Sequence, residues 1–270
     1  MSKSGASKVE TIWTKLESQA ERDAEESASE TTTLLVGDGA CGKTSLINNT
    51  FKASSSKAPK PTFALEYTFA RKKNAGSGTG PKSVAHVWEL GGGINELKLL
   101  NVPLSPRVLS TTTLVVCCDL SKPQNAASSL KRWIDALKEV LVKGLGKEAY
   151  KRMRENARTA NYEGNPDRTK VSPFPVPLFV VGTKYDHVRN MTTADRRSLL
   201  QLLRFFAHYH GATLLCSSSA DATMRDSFKS VFGSICFATG LRNLAELAAD
   251  KPVMVSAGKD SFSGILSSTI

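Results

Sequence analysis

Long apolar runs are missing from this 270-residue chain. No stretch reaches the roughly 18 consecutive apolar residues that a membrane-spanning helix requires. Cysteine is sparse and unpatterned: Cys41, Cys117, Cys118, Cys216 and Cys236 show no C-x-x-C spacing and sit within apolar runs. A disulfide framework and a thiolate zinc site are therefore excluded as the basis of folding, and buried thiols in a reducing compartment are expected. Aromatic residues make up 7% of the chain and do not interleave with basic ones as they do in nucleic-acid-binding modules. The first residues lack the apolar stretch of a secretory signal, and Ser2 stands where myristoylation needs glycine. The final Ser-Ser-Thr-Ile lacks a prenylation cysteine. The expectation is a soluble intracellular protein with no membrane anchor of its own and no direct nucleic-acid partner.

Charge is abundant but uneven. The formal net charge is +11, yet residues 1–30 carry seven acidic and four basic side chains, a balance of −3, which leaves +14 on the rest. Such a surface attracts anionic lipid, nucleic acid or acidic protein faces, and it equally serves to keep a domain solvated. Within 1–30, Val9, Ile12, Trp13 and Leu16 recur at helical spacing before an acidic, serine-rich stretch. That stripe either docks on a partner or packs on its own domain.

From residue 31 onward, strands alternate with helices. "TTTLLVG" (31–37) is β-rich and leads into a glycine turn and a helix from about Lys43. "FALEYTFARK" (63–72) and "SVAHVWEL" (83–90) read as paired strands, with the Gly/Ser-rich 74–82 as their tip. "TTTLVVCCDL" (111–120) is a buried strand. The following helix presents Leu130, Trp133, Ile134, Leu137, Val140 and Leu141 on one face, with Gly144 near its end. Residues 145–172 are basic, lack sustained periodicity and read as an insertion. After them come the strand in "PFPVPLFVVG", a helix with Leu199, Leu202, Leu203 and Phe206 facing one way, a stop at Gly211, the strand "ATLLCS" and a closing helix through Phe228 and Phe232. The order β-α-β-β-α-β-α-β-α-β-α predicts an α/β fold, a mostly parallel six-stranded sheet with helices on both faces. The division expected is an N-terminal arm (1–30), a Ras-like P-loop domain (31–240, with 145–172 as its insertion) and a C-terminal extension (241–270).

Three motifs carry chemistry. Gly37, Gly42, Lys43 and Thr44 fit the G-x-x-x-x-G-K-[ST] phosphate loop. Glycines, Gly39 among them, let the backbone N–H groups approach phosphate oxygens, and the next helix adds its positive end. Lys43 would reach the outer phosphates, Ser45 would add to the cradle, and the Thr44 hydroxyl would ligate Mg²⁺. "VVGTKYD" places Thr183, Lys184 and Asp186 in the [NT]-K-x-D pattern that reads guanine, and Ser217 and Ser218 stand where a base-supporting loop belongs. GTP or GDP with Mg²⁺ is the implied cofactor.

The third motif is damaged. GTPases end their third strand with D-x-x-G and often a glutamine that orients the attacking water. Here "VWELGGG" puts Glu89 in place of the aspartate and Gly93 in place of the glutamine. Thr62 is either a switch threonine or an ordinary strand-edge residue. His208 and His210 read as packing rather than metal ligands, because no acidic or cysteine partner is near in sequence. Asp119 reads as a turn cap. Two functional classes follow from the residues: a protein that keeps a nucleotide pocket without hydrolysis, or a working small GTPase of Arf or Rho type helped by an activator in trans. A nucleotide kinase is disfavoured by the T-K-x-D motif and by missing lid arginines.

"ETIWTKL", "PKPTFALEYTFARK", "AHVWELGGG", "DLSKP", "PFPVPLFVVGTKYD", "LLRFFAHYHGATL" and "AGKDSF" resemble, in order from about residue 10 to residue 264, the dynein light intermediate chain family, and within it the dynein 2 branch. The resemblance implies a non-catalytic subunit on a Ras-like fold that binds and stabilises the dynein 2 heavy chain. It implies further dynein 2 subunits and the intraflagellar transport machinery as partners, with a place in the cytoplasm, on the cytoskeleton and in the cilium or flagellum and its basal body. Family members usually continue past the G-x-D-S-F stretch, whereas this chain stops at Ile270.

Overall fold

The computed structural model describes residues 29–51, 60–73, 82–239, 245–246 and 253–267. The stripe at Val9–Leu16 and most of the 74–82 tip lie outside them. β1 (Glu30–Gly37), β4 (Thr112–Asp119), β5 (Leu178–Thr183) and β6 (Ala212–Cys216) run parallel, with β3 (Lys82–Leu90) parallel on the other side of β1. β2 (Leu65–Lys73) pairs antiparallel with β3. These are the six expected strands. Two two-residue strands, β7 (Ala245–Glu246) and β8 (Met254–Val255), extend the sheet beyond β6, giving the order β2-β3-β1-β4-β5-β6-β8-β7.

The central strands are apolar along their whole length because both faces are covered. Successive residues point to opposite faces. Leu34, Val36, Leu114, Val116, Leu178 and Val180 pack on one side, and Leu35, Val115, Phe179 and Val181 on the other. The first face is closed by a 3-10 segment (Gly93–Asn101), by α2 (Ala126–Leu145) and by α5 (Thr193–His210), which follows the single-turn α4 (Asp186–Arg189), and the second by α1 (Lys43–Phe51) and α6 (Ala222–Cys236). α2 buries Leu130, Trp133, Ile134, Leu137 and Leu141, the stripe that the spacing predicts. It stops at Gly146 (φ 78), two residues beyond Gly144. α5 begins on Thr192, whose hydroxyl accepts from the Asp195 N–H, and ends at Gly211 (φ 65) as expected.

Residues 145–172 differ from their polar, aperiodic reading, since α3 (Lys147–Tyr162) forms there and packs beside α2. Only Tyr150 and Tyr162 of this helix are buried, so the apolar signal is too thin to register as a stripe. The five cysteines are buried free thiols.

The "AGKDSF" stretch is bound to the domain by a buried polar clasp. Arg204 on α5 holds Asp260 through two 2.8 Å bonds, Nε to Oδ2 and Nη2 to Oδ1, with the side chains 2% and 7% exposed. Asn165 Nδ2 donates to the Gly258 and Asp260 carbonyls, each at 2.9 Å. Asp167 accepts from the Phe262 N–H at 2.7 Å and lies 3.1 Å from His208 Nε2. Burial alone would raise Asp167, but those two donors hold its carboxyl below the usual range. Gly258 (φ 72) passes so close to Asn161 that a Cβ would lie 1.8 Å from its carbonyl oxygen, which leaves room for glycine alone. The short α7 (Phe262–Ser267) then lies along α5. His208 thus belongs to the clasp, with Asp167 as an acidic partner that lies 41 residues away in sequence, while His210 packs among aromatic rings. Burial lowers both, His210 to about 4, and its ring stands edge-on to Phe174.

Removing Asp260 leaves the Arg204 charge buried without a partner. Asp260→Ala is expected to lower the free energy of unfolding by about 3–5 kcal/mol, read as a shift of the urea midpoint. Leu266→Ala, at a side chain 74% exposed, should change the unfolding free energy read from the same titration by less than about 0.5 kcal/mol.

Candidate functional site

The phosphate-loop residues occupy the turn between β1 and α1, at the carboxyl ends of the parallel strands, where open α/β sheets hold ligands. Gly37 (φ 151) lies against β4, and a Cβ there would sit 2.5 Å from the Cys117 carbonyl oxygen. Ala40 (φ 57) and Gly42 (φ 97) turn the loop into α1. Gly39, Gly42, Lys43, Thr44 and Ser45 line one side of a cleft of about 320 Å³. Its far side is made by Lys60, Pro61 and Thr62 and by Glu89, Gly91 and Gly92.

Lys43 is 5% exposed, and its ammonium donates to the carbonyls of Gly37 (2.9 Å) and Asp38 (3.0 Å). Its third donor points at the Cys41 sulfur at 3.8 Å, a long bond to a weak acceptor that an anion in the cleft would replace. The Thr44 hydroxyl donates to Glu89 Oε1 at 2.7 Å. Glu89 is 3% exposed, and burial pushes its carboxyl up, opposed by the Thr44 bond and the Lys43 charge and reinforced by Glu66. The extra methylene of glutamate over aspartate therefore still meets the threonine that would hold Mg²⁺. The residues fit a phosphate with its cation: Lys43 and the loop amides would hold the anion, with Thr44 and Glu89 on the cation side. The ion would supply charge neutralisation for the phosphate oxygens.

The guanine-type motif is joined to this loop but does not line the cleft. Thr183 Oγ1 lies 2.6 Å from the Cys41 carbonyl oxygen and 3.0 Å from that of Cys118, so β5 is tied to the loop and to β4. Lys184 (φ 57) reaches Asp119 Oδ2 at 2.7 Å. Asp119 also accepts from the Ser121 N–H and hydroxyl, as a turn cap does. Burial would raise Asp119, yet the Lys184 and Ser121 donors bring it below the usual carboxylate range. The Ser218 hydroxyl donates to Asp186 Oδ1 and accepts from the Ala220 N–H, while Ser217 exchanges backbone bonds with Gly182 and Tyr185. The structure thus brings Asp186 to Ser218, while the Ser217 bonds run through its backbone to the residues beside the motif.

Gly93 has φ 74 and a Cβ added there would meet nothing within 4 Å, so this position presents open space where hydrolytic GTPases place a glutamine. Gly91 and Gly92 have a different role. A Cβ on Gly91 would lie 2.1 Å from the Thr62 carbonyl oxygen, and one on Gly92 2.6 Å from that of Phe63. The Gly91 N–H also donates to the Ala64 carbonyl. Thr62 bonds Glu66 Oε2 at 2.9 Å while lining the cleft, so it is both a strand-edge residue and part of the wall. Three contributors escaped the sequence reading. Lys60 and Pro61 lie in the "PKPTFALEYTFARK" stretch but carry no phosphate-binding pattern, and Asp38 turns away from the cleft to accept from Arg132 Nη2 (2.7 Å) and Trp133 Nε1 (2.9 Å) on α2. Burial would raise Asp38, but donors from Ser129, Trp133 and Arg132 hold it low.

A sequence model of the dynein light intermediate chain family matches residues 7–173. The chain is 34% identical to human cytoplasmic dynein 2 light intermediate chain 1 (Homo sapiens) over 86% of its own length and 66% of the relative's. It is 33% identical to the zebrafish protein of that name (Danio rerio) over 92% of its length and 70% of the relative's. The cytoplasmic dynein 1 light intermediate chain 1 of Dictyostelium discoideum is 29% identical over 39% of this chain and 21% of that relative. Among solved structures, the conserved domain of a dynein light intermediate chain superposes with a TM-score of 0.64 at 20% identity, covering 88% of this chain and 85% of that one, a likeness of fold. The chain spans about two thirds of the length of the human relative.

If the cleft holds a nucleotide, Lys43→Ala is expected to weaken binding of a fluorescent GDP analogue by roughly 10- to 100-fold, the value of one charge-assisted hydrogen bond, with the far-ultraviolet circular dichroism unchanged. Glu89→Gln is expected to tighten Mg²⁺-free binding and to abolish the gain that Mg²⁺ gives the parent. Fluorescence titration with and without the cation checks both.

Proposed function

This chain belongs to the dynein light intermediate chain family, and from that premise we propose that it is a non-catalytic light intermediate chain of the dynein 2 motor. In this reading it binds and stabilises the heavy chain and supports retrograde intraflagellar transport and cilium assembly. The observation that carries the branch assignment is extent. Relatives named for dynein 2 align over 86–92% of the chain, whereas the dynein 1 relative aligns over 39%. Its partners are the dynein 2 heavy chain, the other subunits of that motor and the transport particles it moves. It works in the cytoplasm and on the cytoskeleton, and in the cilium or flagellum and its basal body.

Force and ATP hydrolysis then belong to the heavy chain, and this domain acts as a rigid mount. Glycine at position 93 supports that division, because a hydrogen atom cannot aim a water molecule. GTP or GDP with Mg²⁺ would be a structural ligand, held by Lys43, Thr44 and the loop amides, with Thr183, Lys184, Asp186, Ser217 and Ser218 around the base.

A tagged copy purified from ciliated cells is expected to bring down the dynein 2 heavy chain, and its depletion to shorten cilia and strand transport particles at their tips. Normal cilia together with no heavy chain in the purified material would refute the assignment. The isolated chain should turn over GTP no faster than about 10⁻³ s⁻¹, near the unaided rate of a slow GTPase. Gly93→Gln should not rescue it, since consecutive positive φ values at Gly92 and Gly93 disfavour the side chain by about 1–2 kcal/mol. Rapid unaided turnover would favour the small-GTPase reading instead.

A further inference from the structure

A second surface lies at the edge of the sheet. β2 is its outermost strand, and among the described residues no strand pairs with its outer side. Among the described residues, the backbone N–H and C=O groups on that side have no strand partner, which is the condition for another strand to add there. Side chains alternate across β2. Tyr67, Phe69 and Arg71 share one face, with Tyr67 44% and Phe69 53% exposed. The Tyr67 ring stacks on Phe69 with centroids 6.3 Å apart and leans on Trp88 at 4.7 Å, and the Arg71 guanidinium lies 5.3 Å from the Phe69 centroid. Glu66 and Lys72 share the opposite face and both are exposed; Glu66 Oε2 accepts from the Thr62 hydroxyl at 2.9 Å, and the Lys72 ammonium lies 5.9 Å from the Phe237 centroid, so each also has a partner within the chain. The result is a free edge carrying a row of large rings and a separated pair of opposite charges.

We propose that this edge pairs with the same edge of a second copy of the chain, antiparallel and two-fold symmetric about Phe69. The segment Glu66–Lys72 is self-complementary around that centre. With Phe69 opposite Phe69 of the partner subunit, Glu66 faces Lys72 of the partner subunit and Tyr67 faces Arg71 of the partner subunit. Thr68 then faces Ala70 of the partner subunit. Opposite charges, a cation over a ring and two aromatic rings are the favourable cross-strand combinations, and the two-fold axis makes the first two of them twice. Centring the pairing on Thr68 instead sets Glu66 against Ala70 of the partner subunit, and centring it on Ala70 sets Lys72 against Thr68 of the partner subunit. The doubled ion pair therefore exists in the Phe69-centred alignment and in neither neighbour. Lysine and arginine on an edge commonly repel a strand that approaches it. Here Glu66 supplies the complement, so the same charges that deter other strands select a copy of this one.

Sedimentation velocity of the full chain from about 1 to 100 µM, the range in which a small interface binds, tests the pairing. The weight-average mass should rise from monomer toward dimer with concentration. Glu66→Lys and Lys72→Glu, both at exposed sites, should each weaken self-association roughly tenfold or more, because each sets like charges opposite one another twice. An equimolar mixture of the two variants should associate again as a heterodimer, since both ion pairs are then restored, one in its original sense and one reversed. A monomer at the highest concentration would overturn the proposal. So would a dimer that both single variants leave intact, or a mixture that fails to recover. None of these outcomes depends on the motor assignment.

Discussion

One threonine hydroxyl fastens the three segments on which the candidate site is built. Thr183 Oγ1 stands between the Cys41 and Cys118 carbonyls, so β5, the end of β4 and the loop after β1 share a single proton. A buried carbonyl without a donor is costly, and this arrangement lets one side chain serve two of them. The same junction sets where Lys43 lies, because its ammonium is held by the carbonyls of Gly37 and Asp38 just upstream. The cleft owes its shape to these short bonds more than to helix packing. They explain why a threonine at the head of T-K-x-D has a structural use whether or not a base ever binds.

Much of this could be read in the residues. The continuous apolar strands, the stripes of α2 and α5 and the phosphate loop follow from period, composition and spacing, because burial on both faces forces such patterns. α3 was hidden, since a helix that buries two tyrosines and exposes the rest leaves no stripe. β7 and β8 were hidden because two-residue strands have no period at all. At the site, the Thr44 hydroxyl meets Glu89, a contact that the damaged third motif does not announce. The pairing of Lys184 with Asp119 did not show in sequence, because it joins the ends of two strands 65 residues apart. Lys60 was equally invisible, an isolated cation without a pattern.

The glycine run after Glu89 has two physical roles that its letters do not distinguish. Gly91 and Gly92 allow backbone to lie on backbone against Thr62 and Phe63, where any Cβ would collide. Gly93 meets nothing. Loss of a side chain is thus a packing requirement at two positions and a chemical subtraction at the third. The cleft wall and the missing hydrolytic group come from the same three letters.

The clasp between Arg204 and Asp260 sets a boundary in time as well as in space. The two residues lie 56 positions apart, so at 5–20 residues per second a ribosome adds the aspartate roughly 3–11 s after the arginine. Until then the guanidinium has no carboxylate to enter the interior with, and α5 cannot settle fully on the sheet. A polypeptide cut near residue 240 would never gain that carboxylate, so the clasp ties the segment that ends in α7 to the helix that Arg204 sits on.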